Sequence, residues 1–141
     1  MTEIERAIQE RLIFLEELRK EAEGIQARIV EVQMLKDELD RTIESLEFFE
    51  KAEGDVEALL NLGGGVFAYV DVKNSKKMLV DVGAGVVVEK EVKEAIETLR
   101  NKKQNVEDTE KKLRELLTQI AGQMEKLQRE ISELAKSAGK E

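Results

Sequence analysis

From Ile4 onward, the apolar residues of the first third of the chain recur at alternating spacings of four and three. Taking Ile8 as position a of a heptad, the a and d positions are Ile4, Ile8, Arg11, Leu15, Leu18, Ala22, Ile25, Ile29, Val32, Lys36, Leu39, Ile43 and Leu46, and eleven of the thirteen are apolar. A stripe of that period over six heptads predicts a coiled-coil helix. The other faces are almost all Glu, Lys, Arg, Asp or Gln, with Glu16 and Lys20 set as a helix-supporting pair one turn apart. At ~1.5 Å per residue such a helix is roughly 70 Å long, and it needs a partner of similar length to cover its stripe. A second series supplies one: Val92, Ile96, Leu99, Lys103, Val106, Glu110, Leu113, Leu117, Ile120, Met124, Leu127, Ile131, Leu134 and Ala138, apolar at twelve of fourteen positions. Folding the chain back between the two series gives a long antiparallel coiled-coil hairpin with both chain ends at its tip.

The stretch between the series has a different period. Residues 56 to 92 hold five of the nine glycines and three β-branched runs, a pattern of strands and turns. The first helix is expected to stop near Gly54, with Lys51 as a favourable cation in its last turn. Strands are expected at 56–62, 66–72, 77–82 and 86–91, separated by Gly63-Gly-Gly65, the polar turn Lys73-Asn-Ser-Lys76, and Gly83-Ala-Gly85. In the second strand Val66, Ala68, Val70 and Val72 share one face while Phe67 and Tyr69 take the other, so both faces are apolar. Four short strands cannot cover two such faces, and an open meander leaves edge groups unpaired. The insert is therefore expected to pair with copies of itself or of a related chain. The fold class is α+β, mainly α, in one domain: an N-terminal coiled-coil helix (1–53), a β-hairpin oligomerisation insert (54–91) and a C-terminal coiled-coil helix (92–141).

Composition narrows the chemistry. Charged residues make up 38% of the chain, with no Cys, no His, no Pro and no Trp. The lack of Cys removes thiolate nucleophiles and disulfides, and the lack of His removes the usual general base and the commonest transition-metal ligand. Both absences weigh against an enzyme. The apolar run Leu12-Ile-Phe-Leu15 is too short for a signal peptide or a membrane span, so the cytoplasm is the expected compartment. A net charge of −8 argues against nucleic acid and anionic membranes as partners. Most of the excess lies in residues 1–51, which carry 14 acidic and 8 basic groups.

Each local motif has a plain reading. Gly83-Ala-Gly85 lacks the third glycine and the following helix of a dinucleotide fingerprint, and Gly63–Gly65 lacks the Gly-Lys-Ser/Thr of a phosphate loop. Both are turns, and no cofactor is expected. Asp37, Glu38 and Asp40 read as a solvated helix face rather than a metal site. Arg11, Lys36, Lys103 and Glu110 interrupt the seams and are expected to set register. Gly24 and Gly122 lie off the seams and mark a soft point of the arms. Leu12, Ile13 and Phe14 sit beside seam residue Leu15 and widen the apolar surface near the free tip. Two readings stand: a wide stripe or small contact with a neighbouring chain, or an exposed patch that holds other proteins.

Two coiled-coil arms joined by about 40 residues of β structure, with the segment Leu79-Val-Asp-Val-Gly-Ala-Gly-Val-Val-Val-Glu-Lys90, resemble the alpha subunits of the archaeal prefoldin family. The insert has room for two β-hairpins, as in that class. The resemblance implies a hexamer of two alpha and four beta subunits, with the hairpins forming an intersubunit β-barrel platform. It also implies an ATP-independent chaperone that captures unfolded proteins and passes them to a group II chaperonin. On this sequence the platform contacts would be Val66, Phe67, Ala68, Tyr69, Val70, Val72, Met78, Leu79, Val80, Val82, Val86, Val87 and Val88. The capture surface would be Ile8, Leu12, Ile13, Phe14, Leu15, Met124, Leu127, Ile131 and Leu134. A rival from another class is a structural, filament-forming protein of the same fold that binds no clients.

Overall fold

The computed structural model describes residues 2–139, and the expected helix ends at positions 1, 140 and 141 lie outside them. The elements run α1 (Glu3–Lys51), β1 (Val56–Gly63), β2 (Val66–Val72), β3 (Lys77–Asp81), β4 (Val87–Glu91) and α2 (Val92–Gly139). These are the two long helices and intervening hairpins expected from the switch of hydrophobic period. The chain divides into two compact units: a terminal one of residues up to Met34 and from Glu107 onward, and a central one, Leu35–Val106. Helix α1 opens with an N-cap, Thr2 Oγ1 accepting a hydrogen bond from Glu5 N at 3.1 Å, and carries Glu3 and Glu5 in its first turn.

In the terminal unit, Leu18, Ile25 and Ile29 of α1 pack with Leu113, Ile120 and Leu127 of α2, flanked by Leu15, Ala22, Val32, Leu117 and Met124. Every one of these is a heptad a or d position. The polar seam residue Arg11 donates through Nε to Glu130 at 2.9 Å and through Nη1 to Ala7 O at 3.2 Å. The Arg11–Glu130 pair is about one third exposed on each side, and partly solvated pairs of this kind contribute at most about 1 kcal/mol. Its main effect is to fix register without leaving a guanidinium unpaired.

In the central unit, Leu39, Ile43 and Leu46 pack with Val92, Ala95, Ile96 and Leu99, and Phe49, Met78, Val80 and Val106 close the periphery. Lys103 pairs with Asp40 at 2.6 Å and Arg100 with Glu47 at 3.0 Å. As numbers rise on α1 they fall on α2, so the helices are antiparallel here. Ala95 is fully buried although it lies off the heptad series, because the same pocket is lined by Met78 and Val80 of β3.

The strands form two separate sheets rather than one meander: β1 pairs only with β2, and β3 only with β4, both antiparallel. The separation follows from where β3 is anchored. Met78 and Val80 are drawn into the central core, and the linker before them is tied to both helices. Lys76 Nζ donates to Phe49 O at 3.1 Å and to Glu50 O, orphan carbonyls of the last turn of α1, and to Ala52 O just beyond it at 2.8 Å. Its own carbonyl accepts from Val92 N, the first residue of α2, at 2.8 Å. An ammonium there also meets the negative end of the helix dipole. The expected cation, Lys51, does lie in the last turn, but the contacts are made by Lys76, 25 positions further on. The β3–β4 turn needs left-handed backbone even at Ala84 (φ 51°), supported by Asp81 Oδ1 accepting from Gly83 N at 2.8 Å.

Two stability predictions follow from this packing. Lys76→Met is expected to lower unfolding free energy by about 1–2 kcal/mol, by stripping a charged donor from three carbonyls, and to shift the urea midpoint followed by far-UV circular dichroism. Gly24 and Gly122 are helical and a Cβ at either would meet nothing within 4 Å. Alanine at each is therefore expected to stabilise by about 0.5–1 kcal/mol, seen as a higher melting temperature, with slower amide exchange around both positions.

Candidate protein-interaction surfaces

A coiled-coil seam fills itself from a and d positions, so large apolar side chains elsewhere are left in water unless something else covers them. In the terminal unit Leu12, Ile13 and Phe14 are 50%, 55% and 47% exposed. They fall on the flanks and back of α1 because Leu15, the next residue, takes the seam. Of the other expected capture residues, Ile8, Leu15, Met124, Ile131 and Leu134 are half-buried, and Leu127 is buried in the seam core. The nine thus divide into three that face solvent and six that wholly or partly fill the hairpin.

Sequence reasoning passed over other exposed apolar residues on α1. Val30 and Met34 of the terminal unit are 54% and 66% exposed, and Phe48 of the central unit is 61% exposed, with its ring edge-on to Phe49 at 5.7 Å. Their signal was apolar character off the heptad, which is visible only when every non-seam position is examined one by one. Among the described residues α2 has a single counterpart, Leu116. One ion-pair cluster lies between Phe14 and Val30. Arg19 donates to Glu16 at 2.9 Å and to Glu23 at 3.4 Å, so the forked guanidinium at i+3 takes the hydrogen bonds of Glu16, while Lys20, the expected i,i+4 partner, acts on it through charge. These hydrogen bonds hold the Glu16 carboxyl below the usual carboxylate range and raise Arg19.

The hairpins form the other surface. In the β1–β2 register Val56, Ala58 and Leu60 face Val72, Val70 and Ala68, while Leu59 faces Tyr69 and Asn61 faces Phe67. Ala68, Val70 and Val72 are half-buried, whereas Val66, Phe67 and Tyr69 are exposed, Tyr69 to 85%. Leu59, Leu60 and Leu62 are exposed as well; a strand was expected there, but none of the three was among the expected contacts. A shallow hollow of about 230 Å³ lies between Glu57, Ala58, Leu59 and Tyr69. In β3–β4, Met78 and Val80 are half-buried against the helices, and Leu79, Val82, Val86, Val87 and Val88 remain exposed. Each strand has one partner only, so each hairpin carries two unpaired edges.

What this arrangement can do is hold other polypeptide, through apolar faces and free backbone edges. Among the described residues there is no group of three or more Asp, Glu, Cys or His positioned to hold a metal ion, and no helix is long and apolar enough to cross a membrane.

Comparison with known proteins agrees with the geometry. Residues 18–137 match the family model for the prefoldin subunit. The chain is 51% identical to "Prefoldin subunit alpha" of Archaeoglobus fulgidus over 128 residues, covering 91% of this chain and 93% of that one. It is 39% identical to the alpha subunit of Methanocorpusculum labreanum, covering 73% and 70%. Among solved structures it superposes on a filamentous prefoldin from Methanocaldococcus jannaschii with a TM-score of 0.71 at 18% identity, covering 82% of this chain and 95% of that one; that likeness speaks to the fold. Two long helices, paired hairpins between them and relatives named alpha along nearly the whole length leave one assignment: the chain belongs to the prefoldin family and resembles its archaeal alpha subunits.

Proposed function

We propose that this chain is a subunit of an ATP-independent holdase, which keeps unfolded proteins from aggregating and passes them to a group II chaperonin in the cytoplasm. The observation that carries the reading is Leu12-Ile13-Phe14, three consecutive large apolar side chains about half exposed on a helix whose seam is already filled. Each such side chain, already half covered, contributes about 1 kcal/mol when a client covers the rest. A single patch therefore holds weakly and releases readily, and several patches in one assembly sum to a firm but reversible grip. No catalytic group is needed. Assembly would use the hairpins, with the apolar faces around Tyr69 and Leu79 and the free edges joining beta subunits in a hexamer of two alpha and four beta chains. Ile8, Leu15, Met124, Leu127, Ile131 and Leu134 would support the patch from within the seam.

A second reading is an assembly or filament-forming protein that binds no clients. It is favoured by the filamentous character of the Methanocaldococcus structure and by the free hairpin edges.

The two readings separate in one experiment. Leu12→Ser, Ile13→Ser and Phe14→Ser together are expected to leave assembly mass unchanged by sedimentation. The same variant should lose most of the suppression of light scattering when a denatured protein is diluted into buffer without nucleotide. Undiminished suppression by that variant would remove the patch from the account, and no suppression by the parent complex would favour the structural reading. Phe67→Ser with Tyr69→Ser is expected to do the reverse, keeping helical circular dichroism while lowering the assembled mass.

A further inference from the structure

One flank of α1 in the terminal unit carries a pattern that the client-holding reading does not use. From Leu12 it steps by four, three and four residues through Glu16, Arg19 and Glu23, then by seven to Val30 and by four to Met34. These are the spacings of neighbours on a helix face. Leu12 and Val30 are five full turns apart, so they share one direction about the helix axis at a separation of about 27 Å. Both ends of the flank are apolar and open to solvent, Leu12 at 50%, Val30 at 54% and Met34 at 66%. The middle is an ion-pair ladder in which a single guanidinium, Arg19, is shared by two carboxylates, Glu16 and Glu23. Lys20 also lies within reach of Glu16, but Glu16, Glu17, Glu21 and Glu23 together outnumber Arg19, Lys20 and Arg28, so the stretch between the two apolar ends keeps a net charge of −1.

We infer that this flank of α1 binds an extended, unfolded segment with two apolar clusters about eight residues apart and Lys or Arg between them. The spacing comes from the 27 Å separation read in extended chain. The charge comes from the ladder: a basic residue on the client completes the second carboxylate's pairing, while an acidic one meets two like charges. Glu23, held by Arg19 at 3.4 Å rather than the 2.9 Å of Glu16, is the carboxylate more available to a client cation. Met34 adds an unbranched, adaptable side chain suited to varied sequences. This inference rests on the client-holding reading and refines it from one patch to two patches with a charge filter.

The probe is a labelled synthetic peptide with Leu-Phe-Val at each end and Lys-Ser-Lys at its centre, titrated by fluorescence anisotropy against the assembled complex. A second peptide carries Glu-Ser-Glu instead. The Lys peptide is expected to bind about tenfold tighter at low salt, with the gap closing at high salt. Val30→Gln with Met34→Gln should weaken the Lys peptide about tenfold, and Glu16→Gln with Glu23→Gln should abolish the preference between peptides. All four positions are exposed, and unchanged circular dichroism would verify the helix. Equal binding of both peptides, or parent-like binding by the Val30/Met34 variant while the Leu12/Ile13/Phe14 serine variant loses it, would overturn the two-patch inference and leave the single patch standing. Parent-like binding by the serine variant too would sink the α1 client site altogether.

Discussion

Two apolar stripes, each on a helix of nearly fifty residues, have to find one another, because neither helix is stable with its stripe in water. Burial of Leu18, Ile25 and Ile29 with Leu113, Ile120 and Leu127 in one unit, and of Leu39, Ile43 and Leu46 with Val92, Ile96 and Leu99 in the other, meets that need. Because the seam is complete, any large apolar residue outside it requires a separate account. Helix α1 has several and α2 almost none. The two arms are thus unequal: α2 serves mainly to cover its partner, and α1 is also left with surface to offer.

The hairpins answer to the same constraint through one residue. Lys76 reaches the last carbonyls of α1 with its ammonium and receives the first N–H of α2 on its carbonyl. Helix exit, strand entry and helix return are fixed together at that point. With β3 anchored there and its Met78 and Val80 in the core, β2 and β3 do not pair, and the β1–β2 hairpin keeps both edges free.

Most of the fold was legible in the sequence because it is written in periods. Seam positions repeat at 3.5 residues, and each of the described a and d positions except Ala138 is at least half-buried. Strand limits agreed within a residue or so because glycine clusters bound them. What escaped was whatever depends on contact across the chain. A lysine in a polar turn gives no sign that it will cap a helix, and Ala95 lies outside the heptad yet is fully buried because a strand covers it. Glu16 took its hydrogen bonds from Arg19 rather than Lys20 because a forked guanidinium can also reach Glu23. The surface residues were legible in part. Leu12, Ile13 and Phe14 announced themselves as a consecutive run, whereas Val30 and Met34 were hidden beside apolar neighbours, Ile29 and Leu35, and Leu59 within a strand already assigned.

The helical hairpin also dictates an order of events. Asp40 and Lys103 are 63 positions apart, but Arg11 and Glu130 are 119 apart, and closing a longer loop costs more chain entropy. Pairing is therefore cheapest beside the hairpins and proceeds outward like a zip toward the chain ends. During synthesis α1 emerges first and waits, stripe exposed, until the residues of α2 have been made. For that interval the nascent chain carries an uncovered apolar stripe, and its high surface charge is what keeps it dispersed.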